Sequence, residues 1–509
     1  MKKISIKNSL FSLILKKRIK NINKFITKPI EIQKEVFNYL IKNGIKTKFG
    51  DSHHFHKITN YESFKNQVPV RTYEELYPEI KKIRKGEKNI LWPGKIKWFA
   101  KSSGTTNDKS KFIPITKDSL YNCHFKAGKD MLSLYENNFP KKNIYNGKGL
   151  MLGGSLYKSN NNKTIEGDLS AILIHMFPFW VSYHRVPDKK TALMKDWNKK
   201  LDQIAKQALN QNITNLTGVC SWMLILLNRV LEISGKKNIL EVWPNLELFM
   251  HGGVNFNPYY MQFKEIIPSK KMNYLEGYNA SEGFFGIQDK YKNEGILLLL
   301  NHGIFYEFIP LEELNKGNRK AIDISKVELK KNYALVITTN AGLWRYLIGD
   351  VIQFTTLYPF RIKITGRTAS CINTFGEELM VHNTDLAISR SCEKYNCLIN
   401  NYTVAPIFID TKSAKHQFLI EFHKEPNNLN HFIKEIDNQL KKINSDYETK
   451  RENNLILKSP ELINLKNNEF YIWLKEKNKL GGQHKIPKLS ENRKIADRII
   501  SIKRSFQQK

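Results

Sequence analysis

Apolar side chains in the first hundred residues recur at helical spacing. Ile32, Val36, Phe37, Leu40 and Ile41 fall on one face of a 3.6-residue period. Pro29 suits a first helical position and Gly44 a stop, so this stretch predicts a helix between them. From Trp98 onward the pattern changes. Short apolar runs at Gly149–Leu152, Leu246–Phe249, Ile296–Leu300 and Leu335–Thr339 predict strands. Between them, Asp196–Gln211 and Ser221–Ile233 predict helices, with Asp196 and Ser221 as N-caps. This alternation predicts α/β layers, with no internal repeat and no long linker.

After Gly366-Arg367 the character shifts again. Ile407–Asp410, Gln417–Phe422 and Phe470–Leu474 predict strands. Leu429–Ile443 predicts a helix, with Phe432, Ile433, Ile436, Leu440 and Ile443 on one face. A boundary near residue 370 divides a large domain, 1–370, from a small α+β domain, 371–509.

Composition acts mainly by exclusion. A chain of 509 residues that is 41% hydrophobic and 11% aromatic builds a large core and is not disordered. No stretch approaches the roughly 18 uncharged apolar residues of a membrane span. The N-terminal apolar run, Leu10 to Leu15, is short, is closed by Lys16-Lys17-Arg18, and precedes no small-residue cleavage site. This argues against a secretory signal and for a surface helix of the first domain, with a basic helix lying on a membrane as the alternative. Five scattered cysteines, odd in number, fit free thiols in a reducing, cytoplasmic compartment. Without secretion, the sequons at Asn212 and Asn215 carry no meaning. The formal charge of +34 raises nucleic-acid binding as a possibility. The lysines are spread along the whole chain, however, and no zinc-finger or RNP-like motif accompanies them.

Five segments carry chemistry. In Phe99 to Lys111, hydroxyls and a glycine (Ser102, Ser103, Gly104, Thr105, Thr106) follow a predicted strand, and lysines flank them. Backbone N–H groups of such a loop converge on phosphate oxygens. The Walker A spacing is absent. Gly277 to Gly283 (GYNASEG) offers an aromatic face for a purine, small polar residues, and one carboxylate, Glu282, suited to Mg²⁺ shared with phosphates. Gly342 to Asp350 (GLWRYLIGD) ends on an aspartate, read as lying at a strand-to-turn junction, that can accept both ribose hydroxyls. Thr365-Gly366-Arg367 lies at the boundary. Gly481 to Lys488 (GGQHKIPK) sets Lys485 on a shaped loop. Each alone has a bland reading as a turn, a capping carboxylate or one lysine among 82 Lys and Arg.

Taken in order, the five resemble the adenylate-forming superfamily. More narrowly, the chain resembles the auxin-responsive promoter family of acyl-acid amido synthetases, in its bacterial branch. The resemblance extends through Phe64–Leu76, Gly86–Pro93, Phe249–Val254 (FMHGGV) and Phe375–Met380 (FGEELM), nearly the whole length. It implies a large N-terminal domain of mixed β-sheets flanked by helices, with a small β-barrel-like part, and a smaller mobile α+β C-terminal domain. Ser102 to Thr106 would grip the ATP phosphates. Gly252 and Gly253, with Tyr278, would border the adenine. Ala280 and Ser281 would lie near the α-phosphate, with Glu282 on Mg²⁺. Asp350 would bind the ribose, supported by Arg367, and Lys485 would bridge carboxylate and α-phosphate during adenylation. The implied substrates are ATP, a small carboxylic acid and an amine such as an amino acid, with no nucleic acid and no stable membrane insertion. Oligomeric state is not read. Three departures stand out: Asn279 for a smaller residue, Leu347 for an arginine, and Thr106-Asn107 for a glycine-richer continuation.

Two other functions fit parts of this pattern. An acid–CoA ligase shares the first half-reaction, and a non-catalytic basic protein binding RNA or anionic membranes would use the charge alone. Three further features read as structural. Leu152 to Leu156 is a strand-to-loop turn, His53, His54 and His56 form a solvent loop, and Asp289 is a surface charge.

Overall fold

The computed structural model describes residues 6–102, 110–139, 144–158, 164–290, 295–368, 371–372, 377, 379–409, 413–454, 456–466, 468–477, 485–490 and 492–507. The chain forms two compact units. The first comprises residues 1–219, 226–253 and 270–363, the second 220–225, 254–269 and 364–509.

The first unit opens with five helices: α1 (Ile6–Thr27), α2 (Pro29–Gly44), α3 (Lys48–Ser52), α4 (Tyr61–Gln67) and α5 (Tyr73–Arg84). Pro29 starts α2, and its predicted apolar face is buried. Reciprocal capping starts α5: the Glu75 carboxylate accepts from Thr72 N at 2.6 Å, and Thr72 Oγ1 accepts from Glu75 N. α1 belongs to the domain, with Ile22 and Phe25 in its core. His53 is not in a free solvent loop. It stacks on Phe49 at 4.0 Å and accepts from Arg71 Nη2 at 2.8 Å.

The sheets follow. In chain order the strands are β1 (Trp98–Ser102), β2 (Lys111–Ile115), β3 (Lys148–Met151), β4 (Leu156–Lys158), β5 (Ile165–Gly167), β6 (Arg185–Val186), β7 (Ile213–Gly218), β8 (Leu248–Gly252), β9 (Asn273–Ala280), β10 (Gly283–Ile287), β11 (Ile296–Leu298), β12 (Ile304–Pro310), β13 (Ile322–Asp323), β14 (Asn332–Thr339), β15 (Tyr346–Leu357) and β16 (Phe360–Arg367). Four form a small sheet, β2-β1-β5-β4. Twelve form one large sheet, β13-β12-β14-β15-β16-β11-β10-β9-β8-β7-β3-β6. The β9-β8-β7-β3-β6 half is parallel, so these strands end along one edge, where ligands of α/β proteins bind. Helix α6 (Phe125–Asn138) touches β10 and α1, and α7 (Leu169–Met176) touches β1. Buried ion pairs tie distant segments together. Arg345 forks onto Glu307, with Nη2 to Oε1 at 2.8 Å. Asp289, expected as a surface charge, is instead paired with the buried Arg361, with contacts at 2.9 and 2.8 Å.

In the second unit, β17 (Cys371–Ile372) pairs with β18 (Leu379–Met380). A further sheet runs β19 (Leu398–Phe408), β20 (Ala414–Lys424), β21 (Glu461–Leu465). The helix Leu429–Ile443 has its predicted bounds and buries Phe432, Ile433, Ile436 and Leu440. Asp437 accepts from Tyr447 Oη at 2.8 Å and from both Nε and Nη2 of Arg451, at 2.8 and 2.7 Å. One sequence expectation fails on periodicity. Phe470–Leu474 lies in a helix, Glu469–Glu476, because Phe470, Trp473 and Leu474 are buried at i, i+3 and i+4. The helix expected over Ser221–Ile233 forms and spans Cys220–Ser234, with Val219 and not Ser221 at the cap position. Among the described residues no helix is long and apolar enough to cross a membrane.

Candidate active site

The GYNASEG segment folds as a hairpin. β9 and β10 pair from Ala280 to Gly283, leaving Ser281 and Glu282 as the turn, both buried. One turn earlier, Tyr278 Oη donates to Asp350 Oδ2 at 2.6 Å. Asp350 does not stand at a strand-to-turn junction. Ala334 pairs with Val351 and Val336 with Leu347, so Ile348, Gly349 and Asp350 stand opposite the single residue Leu335. This is a β-bulge inside a strand, with Gly349 at φ +92°. Bulges re-aim side chains beside functional sites, and this one presents Asp350 to Tyr278.

A residue that the sequence did not single out completes the group. Tyr346 starts β15 and is wholly buried, and its hydroxyl has no hydrogen-bond partner among the described residues. Burial first, then the charges of Glu282 and other acidic neighbours including Asp350, hold its phenol well above the ordinary range. The only sequence signal for it was its place inside the GLWRYLIGD segment.

At the end of β8, a Cβ on Gly252 would fall 2.2 Å from the Gly277 carbonyl oxygen, so only glycine lets β8 and β9 close here. Gly253 follows at φ +84°. Before this glycine pair, burial holds His251 neutral, with its pKa lowered to about 3. Its register partner Glu276 is raised by burial to about 7. Glu276 had no local sequence signal, and His251 only its place inside FMHGGV.

Ser102 ends β1 opposite Lys111, so the phosphate-loop candidate connects a β-hairpin. Ser103, Gly104, Thr105 and Thr106 lie outside the described residues. Tyr278, Ala280, Ser281, Glu282, Asp350, Gly252 and Gly253 all lie in the first unit; a hydrogen bond joins Tyr278 to Asp350, and the charges of Glu282 and Asp350 both act on the Tyr346 phenol. The second unit holds Arg367, exposed at the end of β16, and Lys485, exposed at the start of a pinned loop. In that loop Lys488 O accepts from Val404 N at 2.9 Å, and Pro487 O accepts from Thr403 Oγ1 at 2.6 Å.

The arrangement can bind a nucleoside. Asp350 is a carboxylate acceptor for vicinal hydroxyls, held by the phenol of Tyr278, whose own ring is buried and packs on Phe285 at 4.8 Å. Glu282 is a carboxylate of the kind that can hold a Mg²⁺ shared with phosphates, and its charge acts on the buried Tyr346 phenol.

Comparison with known proteins identifies the family. Residues 18–272 match the GH3 family N-terminal domain, 297–367 its central domain and 382–494 its C-terminal domain. The indole-3-acetic acid-amido synthetase GH3.3 of Arabidopsis thaliana is 24% identical over 397 residues, which cover 64% of this chain and 65% of that one. The chain thus spans about two thirds of that relative's length. Among solved structures, the GH3.15 acyl acid amido synthetase superposes with a TM-score of 0.77 at 15% identity over 96% of each chain. A 2-hydroxyisobutyryl-CoA ligase in the postadenylation state superposes at 0.60 and 10% identity, over 94% of this chain and 92% of that one. With matches to all three domains in order along the chain, the protein belongs to the GH3 family.

Proposed function

We propose that the protein is an ATP-dependent acyl-acid amido synthetase. A small carboxylic acid attacks the α-phosphorus of ATP and releases pyrophosphate. An amine, in our reading that of an amino acid, then attacks the acyl-adenylate, forms the amide and releases AMP. The Tyr278–Asp350 hydrogen bond, with Glu282 and Tyr346 beside it, carries this reading. Family membership and the names of the relatives support it.

In this reading Asp350 accepts the ribose hydroxyls while Tyr278 holds its carboxylate. Gly252 and Gly253, with the Tyr278 ring, border the adenine. Ser102 to Thr106 grip the phosphates, and Ala280 and Ser281 lie at the α-phosphate. Glu282 holds Mg²⁺, which when bound neutralises phosphate charge. Lys485 neutralises the charge that builds between carboxylate and α-phosphate, and Arg367 supports the ribose. The second unit, with residues 371–509 as its main part, acts as the smaller, mobile domain, and exclusion of water protects the mixed anhydride. The free thiols Cys123, Cys220, Cys392 and Cys397 suit a cytoplasmic setting.

The test is pyrophosphate release with Mg-ATP, hydroxylamine and a panel of carboxylic acids. Acid-dependent release with hydroxamate formation is expected. Lys485→Ala should lower that rate by at least about 100-fold while ATP affinity stays within a few-fold. Unchanged release would remove Lys485 from the chemistry. A coenzyme A acceptor outcompeting every amino acid would replace the amide product by a thioester.

A further inference from the structure

Among the arginines of the first unit, Arg185 differs from the two that are buried. Arg345 and Arg361 fork onto Glu307 and Asp289. Arg185 has no carboxylate near it among the described residues, and burial pulls its pKa down. It sits on the edge strand β6, opposite Gly149 on β3. A Cβ on Gly149 would lie 3.2 Å from Arg185 Nη1, so the glycine leaves room for the guanidinium to cross β3. Nη1 then donates to Thr217 Oγ1 on β7 at 3.4 Å, a long bond and the one hydrogen bond this guanidinium makes with described residues. Four of its five donors remain to be used. A guanidinium with four idle donors and no described carboxylate beside it can donate a bidentate pair of hydrogen bonds to an anion. The side chain is only half-buried, so an anion can reach it.

The surroundings indicate which anion. By register and strand alternation Arg185, Thr217, Met250, Leu275 and Asn279 share one face of the sheet, opposite the face from which Tyr278 projects. The guanidinium lies 5.8 Å from the Phe177 ring, and Phe177 is 5.7 Å from Phe125. Phe125 follows His124, which is neutral, with its pKa lowered to about 4 by burial, and which neighbours Asn279. An aromatic strip therefore leads from the guanidinium to the hairpin that carries Ser281 and Glu282. The guanidinium reaches β7, two strand spacings or about 10 Å from β9.

We infer that Arg185 is the distal anchor of the acyl-acid site and that the acid is a dicarboxylic acid. One carboxylate pairs with Arg185, an apolar body lies along Phe177 and Phe125, and the other carboxylate is the one activated. This rests on the reading of the chain as an acid-activating enzyme.

The test uses straight-chain α,ω-dicarboxylic acids, each against its monomethyl ester, with the full chain and its R185Q and R185K variants. Wild type should favour a diacid over its ester in pyrophosphate release by at least about 10-fold in kcat/KM. R185Q should lose that preference through a raised KM for the diacid, leaving the ester and ATP unchanged, and R185K should restore part of it. Equal use of diacid and ester by wild type, or an R185Q effect on KM for ATP instead, would overturn the assignment. Calorimetric titration of the diacid without ATP separates the two readings. Binding that R185Q abolishes, with no turnover of any acid, would sink the amido-synthetase reading and keep the anion site. Binding that R185Q leaves unchanged would sink the site itself.

Discussion

Tyr278 and Asp350 stand 72 residues apart in sequence and meet through one short hydrogen bond. A charge-assisted bond of this kind contributes about 1.5–3 kcal/mol. Asp350→Asn should therefore raise the dissociation constant for ATP by about 10- to 100-fold, measured by equilibrium binding. Tyr278→Phe, which spares the carboxylate, should cost less, about 10-fold or under. Glu276 allows a pH test with a definite sign. Burial raises its carboxyl from 4.5 to about 7, so the folded chain holds a proton that the unfolded chain has released. Its contribution to stability is thus full below pH 4.5 and is lost as pH rises towards 7. Glu276→Gln should melt with wild type near pH 4.5 and above it at pH 8, and a constant gap across that range would refute the assignment. At this scale the sequence named Tyr278, Glu282 and Asp350 because each lies in a motif. Tyr346, Glu276 and Arg185 escaped because what marks them is surroundings: a missing partner, a desolvated carboxyl, a glycine facing the arginine from the neighbouring strand.

At the scale of elements, legibility followed period and length. Leu429–Ile443 was readable because four turns of helix repeat one apolar face. The Glu469–Glu476 helix was misread as a strand because eight residues rich in aromatic and β-branched side chains satisfy both periods. The bulge at Ile348–Asp350 was unreadable, since it exists only against the register of β14. The β8–β9 junction yields a prediction of its own. In Gly252→Ala the added methyl group would meet the Gly277 carbonyl, a backbone atom that cannot turn aside. The variant should lose about 1–3 kcal/mol of stability, read from urea unfolding, and should weaken ATP binding as the strand ends separate. Unaltered stability would show that the two strands part more easily than their geometry suggests.

For the whole molecule, the charge of +34 must act on any polyanion nearby. Because the lysines are dispersed, heparin or RNA binding at 50 mM salt should fall by at least about 1,000-fold at 200 mM, while acid-dependent pyrophosphate release persists. Loss of polyanion binding on replacing a single small cluster would instead reveal a focused site. The composition of the second unit has a consequence for how the chain is made. Residues 364–509 share that unit with 220–225 and 254–269. From the middle segments, Gln262 donates to the Ile399 carbonyl, and the ring of Tyr259 lies 5.8 Å from the Lys488 ammonium. On the ribosome these segments emerge more than a hundred residues before their partners and must wait for them with Tyr259 and Phe263 uncovered. The smaller unit is therefore not a severable cassette: a fragment cut at residue 370 would begin life without part of its own interior.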